Sequence, residues 1–372
     1  MSKRILILAN SASGLYDFRN ELLLCLLKEY EVHISLPDAE KVPALAEEGC
    51  VIHSISLERR GMNPLKDSKL MLAYWRLIKE VSPDVVLTYT IKPNIYGSLC
   101  CRFSRVPYLV NITGLGSVFE DGGPVQKLVV FLYRIALKGA SCVFFQNETN
   151  RETFRVFKIK GKADRLVPGS GVNLDRHRFE EYPSKEEAVT FLYVGRIMKE
   201  KGTDELLYAA EEIRKEYPDV RFELVGYYED DYKERIEEMQ NAGIVHLTGY
   251  QKEIHPYYAK ASAAVMPSYH EGMSNVVLET AATGRPVLAS DIPGCREGFD
   301  EGITGIGFVP RDKEAFLAAV RRFMKLSHEE RRKMGINARK KVEREFDRNI
   351  VVNAYMEEIK KCMSRRIKNE LV

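Results

Sequence analysis

The sequence has few of the features that mark specialised classes of protein. Its seven cysteines are an odd number and none of them forms a C-x-x-C pair, which favours reduced thiols over a disulfide framework. No apolar run approaches the ~18 residues that a membrane span requires, so any contact with a membrane is expected to be peripheral. The formal net charge is only +3, which gives no general case for nucleic acid as a partner.

Motifs for common cofactors are also missing. The chain contains no G-x-G-x-x-G dinucleotide fingerprint and no G-x-x-x-x-G-K-[ST] phosphate loop. The absence of the fingerprint disfavours a Rossmann oxidoreductase. His33, His53 and His177 have no partner at a metal-ligand spacing, so ordinary structural roles are favoured for them. We therefore expect neither a metal nor a cofactor.

The order of apolar and helical segments predicts the fold class. At 372 residues the chain is longer than one ordinary core requires, so two domains are expected. Short apolar runs alternate with helical patterns over 5–146 and again over 191–289, as in parallel sheets covered on both faces. The charged stretch Glu180–Glu187 contains Pro183 and is typical of a linker. We predict an α/β chain with two Rossmann-like, doubly wound domains, 1–183 and 184–348, and a helical C-terminal tail.

One stretch, Pro267–Glu297, concentrates residues that could carry chemistry. The apolar run Ala263–Met266 precedes it, and a helix pattern covers Ser274–Thr283. In an open parallel sheet, a loop between strand and helix places a ligand at the helix N-terminus. The free N–H groups and the dipole of a helix that starts at Ser274 and Asn275 favour an anion.

Two carboxylates flank this predicted helix start. Glu279 could accept hydrogen bonds from two vicinal hydroxyls, such as those of a ribose. Glu271 could bind sugar hydroxyls or stabilise positive charge at a sugar carbon. Paired glutamates often belong only to a solvated helix face, but Gly272 beside Glu271 and Gly294 in the next loop favour a binding site.

A second group of candidates follows the strand pattern that ends at Val194. The sequence runs through Gly195 and Arg196 to Lys201 and Gly202 before the next helical pattern. Arg196 offers a planar fork for phosphate oxygens, and Lys201 offers a compact positive charge. Because both residue types are common in loops, this pattern alone leaves a structural role equally open.

The first half of the chain gives weaker signals. A glycine-bearing loop, Ser11–Gly14, follows the first strand pattern and would permit close approach of a phosphate or a sugar. Lys92 and Asn94 follow the fourth strand pattern, and Thr113 and Gly114 follow the fifth. Lys92 could serve an anionic acceptor or simply face water.

Taken together, the motifs resemble those of a known family. The combination of VGR-x4-KG, EGMSNVVLE and GRPVLASDIPGCRE resembles the retaining enzymes of glycosyltransferase family 4, which have the GT-B fold of two Rossmann-like domains facing a cleft. In the first half, TYTIKPNIYG and NITGLGSVF are similar to the branch that builds lipid-linked sugars for capsule, O-antigen and protein N-glycans. The resemblance implies an acceptor-binding first domain, with a C-terminal helix over about 349–372 packed back on it, and a donor-binding second domain.

The resemblance also assigns roles to residues. It implies that Arg196 and Lys201 hold the donor diphosphate, that Glu279 binds the ribose, and that Glu271 contacts the donor sugar or the reacting centre. The other donor contacts that it implies are Gly14, Gly195, Gly272, Met273, Ser274, Asn275 and Val276. Many family members carry a catalytic histidine after the fourth or fifth strand, whereas Thr90 or Asn111 occupies those places here.

The expected function is therefore transfer of a sugar, a HexNAc or a hexose from UDP, to a saccharide linked to polyprenyl diphosphate. The reaction would be retaining and independent of metal, since no D-x-D motif lies in a plausible donor loop. Lys92, Asn94, Thr113 and Gly114 would contact the acceptor. A nucleotide-sugar epimerase and a non-catalytic nucleotide-sugar-binding partner of a transferase remain alternatives.

A lipid-linked acceptor would bring the protein to the inner, cytoplasmic face of the cell membrane. The basic stretch Arg59–Arg76 contains Met71, Leu72, Tyr74 and Trp75 between its cations. This pattern fits an amphipathic helix on a membrane surface and an ordinary packed helix equally well.

Overall fold

The computed structural model describes residues 2–37, 41–57, 63–115, 119 and 122–370, with side chains described as far as Ser364. The chain divides into two compact units. The first comprises Met1–Ser170 and Asn349–Val372, and the second comprises Gly171–Arg348. Arg59 and Arg60 of the basic stretch, together with Gly116 of the NITGLGSVF motif, lie outside the described residues.

The first unit is built on a parallel sheet of seven strands. Its order is β3-β2-β1-β4-β5-β6-β7. The strands are β1 (Arg4–Leu8), β2 (Glu31–Leu36), β3 (Val51–Ser54), β4 (Val85–Tyr89), β5 (Tyr108–Ile112), β6 (Cys142–Phe145) and β7 (Asp164–Leu166). The central strands are nearly continuous apolar runs because helices cover both faces of the sheet.

Within the described residues, six α-helices connect these strands. They are α1 (Ala12–Leu27), α2 (Val42–Glu47), α3 (Pro64–Val81), α4 (Ser98–Phe103), α5 (Gly123–Leu137) and α6 (Glu148–Val156). Side chains of β1 alternate between two cores, because successive residues of a strand point to opposite faces. Ile5 and Ile7 pack in the core that contains α1, whereas Leu6 and Leu8 pack in the core that contains α3, α4 and α5.

The predicted loop Ser11–Gly14 is instead the first turn of α1. The Ser11 side chain caps the helix by accepting a hydrogen bond from the Gly14 backbone N–H at 3.1 Å. A capping serine satisfies one of the N–H groups that a helix start leaves without a partner, so the helix begins as soon as β1 has ended. Gly14 therefore lies at a helix N-terminus beside the carboxyl end of β1.

The second unit repeats the architecture with six parallel strands in the order β10-β9-β8-β11-β12-β13. The strands are β8 (Thr190–Val194), β9 (Arg221–Val225), β10 (His246–Gly249), β11 (Ala263–Met266), β12 (Val287–Ser290) and β13 (Gly305–Phe308). The helices are α7 (Thr203–Glu216), α8 (Lys233–Asn241), α9 (His255–Lys260), α10 (Asn275–Ala282), α11 (Lys313–Lys325) and α12 (His328–Glu345). The prediction of two doubly wound domains is confirmed.

The strand order reverses once in each unit. The reversal lies between β1 and β4 in the first sheet and between β8 and β11 in the second. Ligands of doubly wound sheets bind outside the carboxyl ends of the strands at such a reversal. The loops that follow β8 and β11 are the ones that hold the sequence candidates of the second half.

The last helix, α13 (Arg348–Glu370), begins at the end of the second unit and belongs to the first. Its residues Val351, Tyr355 and Ile359 are buried in the same core as β1 and α1. The Tyr355 hydroxyl donates to the side-chain oxygen of Asn111 on β5. The helix thus supplies part of the interior of a unit from which it is distant in sequence.

The passage between the units falls at Ser170, before the linker predicted at Glu180–Glu187. The intervening residues belong to the second unit because they are bonded to it. Val172 pairs with Asp347, and the buried Arg285 donates to the backbone oxygens of Glu180 and Glu181 at 2.8 and 2.7 Å.

Candidate donor-binding site

Two loops meet at the strand reversal of the second unit. One, Gly195–Gly202, connects β8 to α7, and the other, Pro267–Ser274, connects β11 to α10. The backbone N–H of Tyr269 in the second loop donates to the backbone oxygen of Glu200 in the first at 2.9 Å. This bond brings the two groups of sequence candidates together.

Two glycines, one in the first loop and one in the loop after β12, allow close approach to the backbone of the second loop. Gly202 has a φ of +72°, and a Cβ atom there would lie 2.1 Å from the backbone oxygen of Pro267. Gly294 has a φ of +87°, and its Cβ would lie 2.7 Å from the backbone oxygens of both Glu271 and Gly272. Any side chain at either position would therefore collide with backbone and require a left-handed conformation that it disfavours.

Lys201 and Glu271 form an ion pair in the centre of this arrangement. The Lys201 Nζ and the Glu271 Oε1 are 2.6 Å apart, and the two side chains are 19% and 14% exposed. Both groups are thus shielded but still reached by solvent. An anion that binds Lys201 would exchange places with the Glu271 carboxylate.

Arg196 lies on the same loop but faces a different carboxylate. Its guanidinium pairs with Glu229, which follows β9, and its side chain is 38% exposed. The backbone oxygen of Arg196 accepts a hydrogen bond from the buried Tyr193 hydroxyl at 2.6 Å. Each of the two predicted diphosphate ligands therefore has a carboxylate beside it in this state.

The N-terminus of α10 is capped and anchored. The Ser274 hydroxyl accepts a hydrogen bond from the Val277 backbone N–H at 3.4 Å, and the Ser274 N–H donates to the Gly294 backbone oxygen at 2.7 Å. The start of a helix directs backbone N–H groups toward a possible anion. Asn275 and Val276 occupy the first turn of α10, and the preceding Met273 is buried.

Glu279 lies further along α10, within a set of aromatic side chains. Its Oε2 accepts a hydrogen bond from the Tyr258 hydroxyl at 3.0 Å, and its Oε1 is 3.7 Å from the His177 Nε2. Burial, followed by the positive charges of Arg176, His255 and Arg348, lowers the pKa of His177 to about 3. The imidazole next to Glu279 is therefore uncharged at neutral pH.

The candidates of the first unit are arranged differently. Lys92 forms an ion pair with Asp67 at 2.8 Å, with the side chains only 11% and 7% exposed. Asn94 is buried, and its side chain accepts from the Thr88 hydroxyl and donates to the Asn111 backbone oxygen, both at 2.8 Å. Its amide thus connects β4 to β5 and is withdrawn from the surface. Thr113 and Gly114 follow β5 and are partly buried.

The two positions considered in place of the family histidine also differ. Asn111 is committed to the sheet, because its side chain donates to the Thr88 backbone oxygen at 3.0 Å and accepts from Tyr355. Thr90 directly follows β4 and has a φ of +72°, which is an outlier for a β-branched residue. Its hydroxyl is buried and has no hydrogen-bond partner among the described residues. Thr90 is therefore the strained position of the pair.

Three residues of the site were not identified from the sequence: Glu229 beside Arg196, and Tyr258 and His177 beside Glu279. Glu229 stands four residues after the end of β9, a placement at the carboxyl end of a strand that sequence could have indicated. Tyr258 and His177 approach Glu279 from segments 21 and 102 residues earlier in the chain, and no local pattern marks either of them.

Comparison with known proteins identifies families and structures that this chain resembles. Residues 175–341 match the family model of glycosyl transferases group 1, and residues 4–147 match that of glycosyl transferase 4-like proteins. The fold resembles that of the Anabaena protein HepE in complex with UDP-glucose, with a TM-score of 0.78, 18% identity, and coverage of 97% of this chain and 99% of that one.

Two curated relatives cover nearly the whole chain. The N,N'-diacetylbacillosaminyl-diphospho-undecaprenol alpha-1,3-N-acetylgalactosaminyltransferase of Campylobacter jejuni is 26% identical over 98% of this chain and 100% of its own length. The capsular polysaccharide biosynthesis glycosyltransferase CapM of Staphylococcus aureus is 24% identical over 94% of this chain and 95% of its own length.

The protein is an enzyme of the GT-B class. It belongs to the glycosyltransferases, with a glycosyl transferase 4-like domain followed by a glycosyl transferases group 1 domain, so the resemblance to family 4 is confirmed. The group 1 domain supports a transferase over the epimerase and the non-catalytic binding partner. No helix among the described residues is long and apolar enough to cross a membrane.

Proposed function

We propose that this enzyme transfers a sugar from a UDP-sugar to a saccharide carried on a polyprenyl diphosphate, with retention at the anomeric carbon. The observation that carries the donor assignment is the group of Lys201, Glu271 and the capped start of α10 at the strand reversal of the second unit. The acceptor assignment is supported by the relative from Campylobacter jejuni, whose name specifies a diphospho-undecaprenol substrate.

The chemistry follows from charge. Cleavage of the bond between sugar and phosphate leaves a diphosphate and a sugar with positive character at its anomeric carbon. Arg196, Lys201 and the N–H groups of Asn275 and Val276 would stabilise the leaving diphosphate, because fixed positive groups act most strongly where charge develops. These side chains supply positive charge without a bound metal. The leaving diphosphate would itself accept the proton of the acceptor hydroxyl, consistent with retention.

Glu271 has two successive partners in this scheme. Without donor it neutralises Lys201, and when the diphosphate takes Lys201 the carboxylate becomes available to the donor sugar. Glu279 would receive the ribose hydroxyls. Gly195, Gly272, Met273 and Ser274 would line the donor by position. Lys92, Thr113 and Gly114 remain the proposed acceptor contacts.

A transfer assay tests this proposal. Purified enzyme is incubated with each of several UDP- and GDP-sugars and with a short polyprenyl diphosphate saccharide, and NMR assigns the configuration of the new linkage. We expect transfer from a UDP-sugar with the donor's anomeric configuration. Inversion, or release of free sugar from the donor without any acceptor, would contradict the proposal. Before the transfer assay, thermal-shift measurements select the nucleotide sugars to be tested, since a ligand that binds more tightly raises the apparent melting temperature further.

We further propose that the outer surface of α3 and α5 docks on an anionic membrane. Both helices pack on the same face of the first sheet. Their outer sides expose apolar residues, led by Leu65, Leu72 and Trp75 on α3 and by Leu128 and Phe131 on α5. These are accompanied by the exposed cations Lys66, Lys69, Arg76, Lys79, Lys127, Arg134 and Lys138. Apolar side chains among cations are what anionic lipid surfaces attract.

Vesicle flotation tests the docking surface. We expect binding to vesicles that contain phosphatidylglycerol and little binding to phosphatidylcholine alone. The double variant Leu128→Glu and Phe131→Glu should lose this binding. Leu24→Glu serves as a control, since Leu24 is similarly exposed but lies on α1, which packs on the opposite face of the sheet. Binding that survives the double variant would contradict the assignment of this surface.

A further inference from the structure

A buried tyrosine holds one edge of the Glu279 carboxylate. Tyr258 on α9 is fully buried and donates its hydroxyl to the Glu279 Oε2 at 3.0 Å. The Glu279 side chain is itself 18% exposed. The carboxylate is therefore fixed from the interior while solvent, and hence a ligand, still reaches it.

The hydroxyl of Tyr258 is not needed to fill space. A buried phenol requires a hydrogen-bond partner, and among the described residues this hydroxyl bonds only Glu279. A phenylalanine would occupy the same volume without that requirement. Burial and the neighbouring Glu279 raise the pKa of Tyr258 well above its ordinary value, so the phenol stays a donor throughout the physiological range.

His177 lies on the other side of the carboxylate. Its ring packs edge-on against Tyr258, with ring centres 6.0 Å apart, and its Nε2 is 3.7 Å from the Glu279 Oε1. Because this imidazole is uncharged at neutral pH, it does not neutralise Glu279. The carboxylate therefore lies beside these two aromatic rings, a setting suited to accepting hydrogen bonds from hydroxyl groups.

We infer that Tyr258 is a positioning residue that orients Glu279 toward the two vicinal hydroxyls of the donor ribose. The inference rests on the proposed nucleotide-sugar donor. An unrestrained glutamate would sample several rotamers and would lose part of the binding free energy when one of them is fixed. The Tyr258 hydroxyl removes that cost by holding the carboxylate in place before the ligand arrives.

Calorimetric titration with UDP and with 2′,3′-dideoxy-UDP provides the test. Tyr258→Phe should weaken UDP binding about tenfold, the size expected for one hydrogen bond to a charged group. The same variant should bind dideoxy-UDP as the wild type does, because that ligand has no ribose hydroxyls for Glu279 to receive. In steady-state kinetics the loss should fall on the KM for the donor and leave kcat nearly unchanged.

Tyr257→Phe is the matched control. It removes a hydroxyl from the adjacent position of the same helix, and this hydroxyl bonds no described residue. We expect both ligands to bind this variant as they bind the wild type. A Tyr258→Phe variant that weakens both ligands by the same factor would assign the tyrosine a merely structural role, and unchanged UDP binding would also overturn the inference.

Two further variants keep the test decisive. In a Glu279→Gln background, Tyr258→Phe should add little to the loss of UDP affinity, because the two residues act as a unit; additive losses would overturn the inference. If Tyr258→Phe does not fold, Glu279→Asp retains the charge but draws the carboxylate away from Tyr258. If Glu279→Asp still prefers UDP over 2′,3′-dideoxy-UDP as strongly as the wild type does, the inference about Tyr258 would be overturned. A wild type that binds no nucleoside diphosphate would contradict the proposed function itself.

Discussion

The two units share one sheet architecture but use the polar residues at their strand ends in different ways. In the second unit, Arg196, Lys201, Glu271 and Glu279 are partly exposed and pair with one another or with side chains from neighbouring loops. In the first unit, Asn94 and Asn111 are buried and hold adjacent strands together. Similar positions in similar folds therefore hold the proposed donor ligands in one unit and stabilise the sheet in the other.

This difference explains why the sequence indicates the candidate site of the second unit more clearly than that of the first. A partly exposed ion pair can be exchanged for a ligand, because an incoming anion replaces the carboxylate as the partner of the cation. A buried amide that bridges two strands cannot be released without leaving polar groups unsatisfied in the core. The type of residue alone does not distinguish a side chain that can bind a ligand from one that holds two strands together. Its burial in the folded chain does.

The largest predicted effect is loss of activity on removal of Arg196. Arg196→Ala should lower kcat/KM by at least about 100-fold, because one fixed positive group that meets the leaving diphosphate disappears. Arg235→Ala is the control, since Arg235 is an exposed residue paired with Asp204 in the same unit. Steady-state transfer assays measure both, and near wild-type activity of Arg196→Ala would remove this residue from the site.

Lys201 should show the next largest effect. Lys201→Gln removes the charge that the donor diphosphate would take from Glu271, and we expect a loss of about 10- to 100-fold in kcat/KM. Lys199→Gln is the control because that lysine is exposed two residues away and its side chain bonds no described residue. Equal effects of the two substitutions would indicate a general charge effect in place of a specific contact.

In the first unit, substitution of Asn94 should affect stability. Asn94→Ala removes two buried hydrogen bonds between β4 and β5 and should lower the free energy of unfolding by about 3 kcal/mol. The exposed Asn241 at the end of α8 offers Asn241→Ala as a control, for which little change is expected. Urea denaturation gives both values. A stable Asn94→Ala variant with impaired transfer would reverse the contrast between the units.

The smallest predicted effect is a gain of stability at Thr90. Thr90→Gly relieves a positive φ in a β-branched residue and removes a buried hydroxyl that no described residue bonds, so the free energy of unfolding should rise by about 0.5 to 1 kcal/mol. Thr113→Gly, at a position without a positive φ, should lower it. If Thr90→Gly also reduces transfer, the strained backbone at Thr90 contributes to use of the acceptor. If the variant is less stable than the wild type, the strain argument is wrong.

Much of the fold could be predicted because its elements carry strong local patterns. The runs Tyr108–Ile112 and Ala263–Met266 are the observed β5 and β11, and the pattern Thr203–Glu216 is the observed α7. Ser274 marks the start of α10 in sequence and in structure. Each of these signals depends on near neighbours, through either periodicity or a cap.

The elements that were missed lack such signals. Strand β13 has the sequence GIGF, in which two glycines dilute the apolar run, and β7 has only three residues at the sheet edge. Helix α6 is mostly polar and buries only Asn150 and Phe154. Similarly, the contacts of Tyr258 and His177 with Glu279 join distant segments, so only the folded chain brings them together.

The path of α13 has a consequence for synthesis. The core of the first unit contains residues of both α1 and α13, although the whole second unit is translated between them. Residues 171–348 therefore leave the ribosome before α13 does. The unit made first is therefore the one finished last, and until α13 emerges its exposed apolar face is a natural substrate for chaperones.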